Sequence, residues 1–257
     1  MKVAVIGYEE SEVQTSKTVE ACKVLKQIEE TVRGRQDQVV VKLQLPDGKL
    51  NSLNVRNAIH SYYKAEIINY ELLIIQYDGG DKQRIHRKLA MSFENQNGTW
   101  YTESDVICVI GNDDRRPDVG IWFQWPSKQE RVTPLKSLCL PPDIWIEVFY
   151  NRDSDRQNAL EKIDSLQNNL DGILNVEYVG IAIPHTYNTF QLNPFPGALS
   201  MPAIATRQNK RPQLAPYLIH WDMTYTPHYY IINWNLHLRL RCDVIINFNI
   251  ILDVLSR

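Results

Sequence analysis

Long hydrophobic runs, paired cysteines and a strong charge of either sign are all missing from this chain of 257 residues. No stretch approaches the roughly 18 apolar residues that a membrane span needs. The opening MKVAVIGYEE carries one lysine and an apolar run too short for a secretory h-region. The expected setting is therefore the cytoplasm or nucleus, not secretion, with no membrane partner. Four cysteines, Cys22, Cys108, Cys139 and Cys242, stand far apart without a CxxC pair, which predicts buried free thiols in a reducing compartment. Basic residues number 28 against 30 acidic ones, a formal net charge of -2. That lacks the overall positive charge of a dedicated DNA-coating protein but leaves local contact with nucleic acid open. No GxGxxG follows Gly7, and there is no Walker loop, no GxSxG and no catalytic Cys-His pattern.

What is present is an ordinary globular composition, 44% apolar and 10% aromatic, with elements that periodicity can place. Residues 1–54 read as a small N-terminal α/β extension. It holds a strand at Lys2 to Ile6, a helix carrying Val19, Cys22 and Ile28, and a hairpin of Val39 to Leu45 and Lys49 to Val55 around Pro46-Asp47-Gly48. Residues 55–184 form the main body, beginning with a helix-like Val55 to Tyr63 and a strand at Tyr70 to Tyr77. Ile85, Leu89 and Phe93 mark an amphipathic helix over Lys82 to Asn95. Strands are expected at Trp100 to Ile110, Val119 to Trp125 and Ile144 to Tyr150, then a helix at Asp153 to Leu170 and a strand at Glu177 to Pro184. Residues 185–212, rich in Pro, Asn and Gly, read as a linker. Residues 213–257 read as a C-terminal antiparallel β extension, with strands at Ala215 to Met223, His228 to Trp234 and Cys242 to Leu255. The histidines there, His185, His220, His228 and His237, lack metal-ligand spacing.

Two carboxylates stand out by position. Asp118 follows Pro117 at a strand entrance, and Glu147 lies inside the apolar run Ile144-Trp145-Ile146-Glu147-Val148-Phe149-Tyr150. A carboxylate in such a strand is costly to bury unless it is paired, hydrogen-bonded or metal-bound. If the two strands are neighbours, the pair could converge on a hard divalent cation through oxygen ligands. Taken singly, each residue is more often structural, a strand Glu paired with an Arg or a Pro-Asp turn, and it is the combination that points to a metal.

The order Pro117-Asp118-Val119, Pro141 to Val148 (PPDIWIEV), Asp155-Arg156 with Lys162 in a following helix, and Glu177-Tyr178 resembles the Uma-type restriction endonuclease family of the PD-(D/E)xK nuclease superfamily. Upstream, Tyr70-Glu71-Leu72, the Gly79-Gly80 turn and His86 sit where that family places its YEL strand, turn and His-bearing helix. The likeness covers roughly residues 55–184. It implies an α+β fold, a restriction-endonuclease-like mixed β-sheet flanked by helices. It also implies Mg²⁺ or Mn²⁺ held by Asp118 and Glu147 with the Val148 carbonyl nearby, and hydrolysis of DNA phosphodiester bonds by an activated water.

The superfamily lysine two residues after the glutamate is Phe149 here. Lys162, on the border between the apolar stripe and solvent of its helix, is the candidate replacement as a catalytic group. Glu71 is a candidate additional acid, and His86 either faces nucleic acid or caps the core. Arg115, Arg116 and Arg156 are candidate phosphate contacts, although neighbouring acids allow a self-paired surface instead. DNA is the expected partner, with a homodimer allowed. The competing expectation, favoured by Phe149, is a catalytically silent nuclease-fold protein that binds nucleic acid or a protein.

Overall fold

The computed structural model describes residues 9–33, 40–45, 48–150, 153–170, 175–183, 217–222, 224–232 and 237–256. The expected strand at Lys2 to Ile6 and the linker at 185–212 lie outside them. Helix α1 (Glu9–Arg33) leads to strand β1 (Val40–Gln44), helix α2 (Leu53–Tyr62) and the hairpin β2 (Ala65–Ile68) and β3 (Leu72–Gln76). Helix α3 (Gly80–Gln96) is followed by four short strands, β4 (Tyr101–Glu103), β5 (Cys108–Ile110), β6 (Asp113–Arg115) and β7 (Val119–Trp122). Two short helices, α4 (Lys128–Val132) and α5 (Pro134–Ser137), precede β8 (Ile144–Tyr150), α6 (Asp153–Leu170) and β9 (Glu177–Ile183). The chain closes with β10 (Tyr217–Trp221), β11 (Pro227–Ile231), β12 (His237–Arg239), β13 (Ile245–Asn247) and α7 (Asn249–Leu255).

The fold is α+β, as expected. A six-stranded sheet runs β11-β10-β9-β8-β7-β4, and a five-stranded sheet runs β1-β3-β2-β6-β5. The large sheet is mixed. Only β8 and β9 run parallel, joined through α6, while the other neighbours are antiparallel. A parallel pair needs a crossover, and the amphipathic α6 supplies it.

Strand β8 is buried along its whole length because it is covered on both sides. Its Ile144, Ile146, Val148 and Tyr150 join Ile85, Leu89 and Phe93 of α3 and Ile251 and Val254 of α7 in one core. Trp145 and Phe149 alternate to the other face, where Ala159, Ile163 and Leu166 of α6 cover them. A separate core seats Val24 and Ile28 of α1 and Val55 and Ile59 of α2 on the small sheet.

Several local expectations change. No hairpin forms around Gly48. That glycine adopts φ 78° and starts a helical turn, α2 follows, and β1 pairs with β3 instead. The apolar spacing of Val55 and Ile59, one helical turn apart, overrides the Pro-Asp-Gly turn signal. The run from Trp100 to Ile110 divides between β4 in the large sheet and β5 in the small one, and the expected turn at Gly111 to Pro117 contains β6. The segment Cys242 to Leu255 is not one strand, since only β13 within it is extended. After β13, Ile251, Val254 and Leu255 recur at helical spacing and α7 packs on α3. Cys108 and Cys139 are buried free thiols, whereas Cys22 and Cys242 are exposed. Among the described residues no helix is long and apolar enough to cross a membrane.

Candidate metal centre

The two sheets meet where β7 leaves β8. The register pairs Val119 with Ile146, so one step further Asp118 stands across from Glu147. At that point Asp118 uses its side chain in place of a ladder partner, its Oδ2 accepting the Val148 amide N–H at 2.8 Å. Val148 thus meets Asp118 through its amide. Both carboxylates are buried, Asp118 at 2% and Glu147 at 3% exposure.

Glu147 faces α6. Its Oε1 accepts the Trp145 indole N–H at 2.6 Å and lies 2.7 Å from Lys162 Nζ. Lys162, itself 4% exposed, also lies 2.6 Å from Glu66 Oε1 and donates to the Arg116 carbonyl. The helix lysine is thus drawn fully inside, which supplies the compensation that an apolar strand requires of Glu147. Burial, with Asp118 and Glu66 adding their negative charge, pushes the Glu147 carboxyl up to about 8 although Lys162 opposes it. Glu66 is held below its usual range because the Lys162 and Arg115 cations outweigh its burial.

Asp118 faces a second group of charges. Lys64 Nζ lies 3.0 Å from its Oδ1, and Lys82 Nζ and His86 Nε2 lie 3.8 and 3.5 Å from its Oδ2. Despite deep burial, these groups and Lys162 hold its carboxyl well below the usual carboxylate range. Lys64 also contacts Asp78 and lies 2.6 Å from Asp105, and Lys82 lies 3.0 Å from Asp78. One ligand atom from each of Asp78, His86, Asp105 and Asp118 can be chosen so that all four lie within 4.8 Å of one another. Burial and the neighbouring lysines lower His86, which favours its neutral imidazole. A cleft lined by Asp78, Lys82, Glu147, Val148, Asp155 and Asn158 reaches this junction, and a second one opens beside Glu66, Arg115 and Lys162.

The remaining candidates separate. His86 is 1% exposed and lies against Asp118, inside the protein. Glu71 is exposed in the β2–β3 turn, away from Asp118 and Glu147. The strand acid of that hairpin is Glu66, which sequence reading missed. Its signal, a carboxylate inside Ala65-Glu66-Ile67-Ile68, is the one that marked Glu147, but the strand was placed at Tyr70 to Tyr77. Arg115 turns inward onto Asp113 at 2.9 Å and Ser165 at 2.9 Å. Arg116 is held by the carbonyls of Ala65 and Asp105 and by the His60 ring. Arg156 is half-buried on α6. Lys64, Asp78 and Asp105 come from connections between elements, where no periodicity marks them.

No protein-family model matches the chain. No curated protein matches it either. Among solved structures it is similar to a candidate nuclease belonging to DUF820 from Anabaena variabilis, with 12% identity, a TM-score of 0.45, and coverage of 74% of this chain and 90% of that one. At that distance the chemistry of the residues carries the functional reading. The mixed sheet flanked by helices carries an acidic, histidine-bearing cluster that forms a candidate metal centre.

Proposed function

We propose that the protein is a PD-(D/E)xK-type, Mg²⁺- or Mn²⁺-dependent endonuclease that hydrolyses DNA phosphodiester bonds. Asp118 and Glu147 would be the metal ligands and Lys162 the catalytic lysine. The observation that carries this reading is the 2.7 Å approach of Lys162 Nζ to Glu147 Oε1. A lysine from α6 arrives at the strand carboxylate whose own downstream neighbour is Phe149.

The donors suit a hard cation, being carboxylate oxygens on adjacent strands. Burial first, then the Asp118 and Glu66 charges, raises the Glu147 carboxyl even with Lys162 in place, and a bound cation would oppose that rise. Such an ion, when bound, activates water and stabilises charge on a phosphoryl oxygen. The chain's own contribution is preorganisation. Glu66 and the Arg116 carbonyl fix Lys162, which holds a positive charge beside the carboxylate pair without reorganising. Trp145 fixes Glu147, and the Val148 amide fixes Asp118.

The second reading, a silent nuclease-fold binder, is favoured by closure. Asp118, Glu147 and Lys162 are each at most 4% exposed, and Phe149 is locked against Ala159 and Ala182. Plasmid cleavage with Mg²⁺ or Mn²⁺ separates the two. Activity in the wild type that is lost in Asp118→Asn, Glu147→Gln and Lys162→Met supports the nuclease. DNA binding without cleavage, unchanged by these substitutions, supports the binder.

A further inference from the structure

Lys64 places its ammonium among buried and half-buried carboxylates. Its ammonium contacts Asp78 and lies 2.6 Å from Asp105 and 3.0 Å from Asp118, so three carboxylates from three different segments converge on one cation. Carboxylates alone would signify little, since a lysine can satisfy them. The independent observation is His86, which is 1% exposed, lies 3.5 Å from Asp118 Oδ2, and makes no hydrogen bond from either ring nitrogen. An imidazole normally finds a partner when buried, because an unmade hydrogen bond there costs about 1–3 kcal/mol.

We propose that Asp78, His86, Asp105 and Asp118 form a cation site for a divalent transition metal of the manganese-to-zinc class, which enters by displacing the Lys64 ammonium. The donor set argues for that class. Three carboxylate oxygens would serve magnesium, but an imidazole nitrogen selects metals further along the transition series. Size agrees. Donors about 2.1 Å from one ion stand at most about 4.2 Å apart, so a group already within 4.8 Å needs only a small contraction. Charge agrees too. Four carboxylates, with Asp155 3.9 Å from Lys82 as the fourth, touch the Lys64 and Lys82 ammonium groups, and a dication in place of Lys64 lowers the negative excess from two charges to one. An exit exists, since the Lys64 side chain is 17% exposed and Asp105 31% exposed. Lys64 and the ion would thus be alternative occupants of one position, with Lys64 preserving the fold when metal is scarce. The site shares only Asp118 with the proposed nuclease centre.

Co²⁺ reports on it directly, because its visible d–d bands respond to a nitrogen donor. Titration of the full chain with Co²⁺ should give one saturable band, with binding weakened about 100-fold or more in Asp105→Asn and the band shifted or lost in His86→Gln. Lys64→Met, which removes the competing ammonium, should tighten binding at least tenfold. Glu147→Gln should leave the band unchanged even where it abolishes cleavage, so the failure of either reading is distinguishable from failure of the other. Circular dichroism checks that each variant folds, and the partly exposed Asp105 and Lys64 positions keep the test available if His86→Gln does not. No band in the wild type, or a band insensitive to Asp105→Asn and to Lys64→Met, overturns the proposal. So does a band lost in Glu147→Gln but kept in His86→Gln.

Discussion

Lys162 joins two sheets through one ammonium group, lying 2.6 Å from Glu66 of β2 and 2.7 Å from Glu147 of β8. The two strands belong to different sheets, so this contact is an electrostatic seam of the molecule as well as the centre of the proposed site. Removing one partner of a buried ion cluster strands the others. Lys162→Met leaves two buried carboxylates without their shared cation, and unfolding in urea should register a loss of about 3–5 kcal/mol. Adding Glu147→Gln to that background should recover part of it. Simple additivity of the two single losses would show that the groups are not coupled.

The elevated Glu147 carboxyl makes metal-free stability depend on pH. The unfolded chain releases this proton near the ordinary value of 4.5, the folded chain near about 8. Between those values the folded state holds more protons, so the Glu147 contribution declines as pH rises through the window and levels off above it. Thermal midpoints in chelator from pH 4.5 to 9 should show the wild type losing ground against Glu147→Gln as pH rises. Parallel curves would assign the proton elsewhere.

In the proposed PD-(D/E)xK reading Phe149 holds the position of the strand lysine, yet a lysine placed there should not raise activity. The ring is 1% exposed among Ala159, Ala182 and Ile219, so Phe149→Lys exchanges a packed aromatic for a buried ammonium. Losing the ring alone costs about 3–5 kcal/mol. The variant should be strongly destabilised in denaturant and no faster in cleavage than wild type. A stable and faster Phe149→Lys would mean that Lys162 is not the functional replacement.

Gly120 tests how tightly β7 is held behind Asp118. A Cβ there would come 2.6 Å from two atoms of the Trp122 ring and 3.2 Å from Pro117 Cγ. Gly120→Ala should cost about 1–3 kcal/mol by overpacking, with cleavage falling as Pro117 and Asp118 shift. Combining it with Trp122→Leu should recover stability in the same denaturation assay. No loss in the single variant would show that the tryptophan moves aside freely.

The legible residues were those that broke a local pattern. Glu147 interrupts an apolar strand, Asp118 follows a proline at a strand entrance, and Lys162 sits on the border of a helical stripe. Glu66 breaks its strand in the same way, but reading Tyr70 to Tyr77 as the strand hid the hairpin and drew attention to Glu71 in its turn. Asp78, Asp105 and Lys64 lie between elements, and nothing in their neighbours distinguishes them from solvent-facing charges. Arg115 and Arg116 had the sequence of a phosphate-binding pair, while the structure spends them on Asp113, Ser165 and backbone carbonyls.

By itself the sequence determined α3, α6 and β8, because burial of an apolar stripe or run depends on spacing within one segment. It also determined that Glu147 needed a partner, since desolvation is a local cost. Only the tertiary structure decided that the partner is Lys162, that a second sheet contributes Glu66, and that His86 faces Asp118 instead of nucleic acid. Charge pairing acts across space between distant segments, and where those segments meet is set by how sheets and helices pack together.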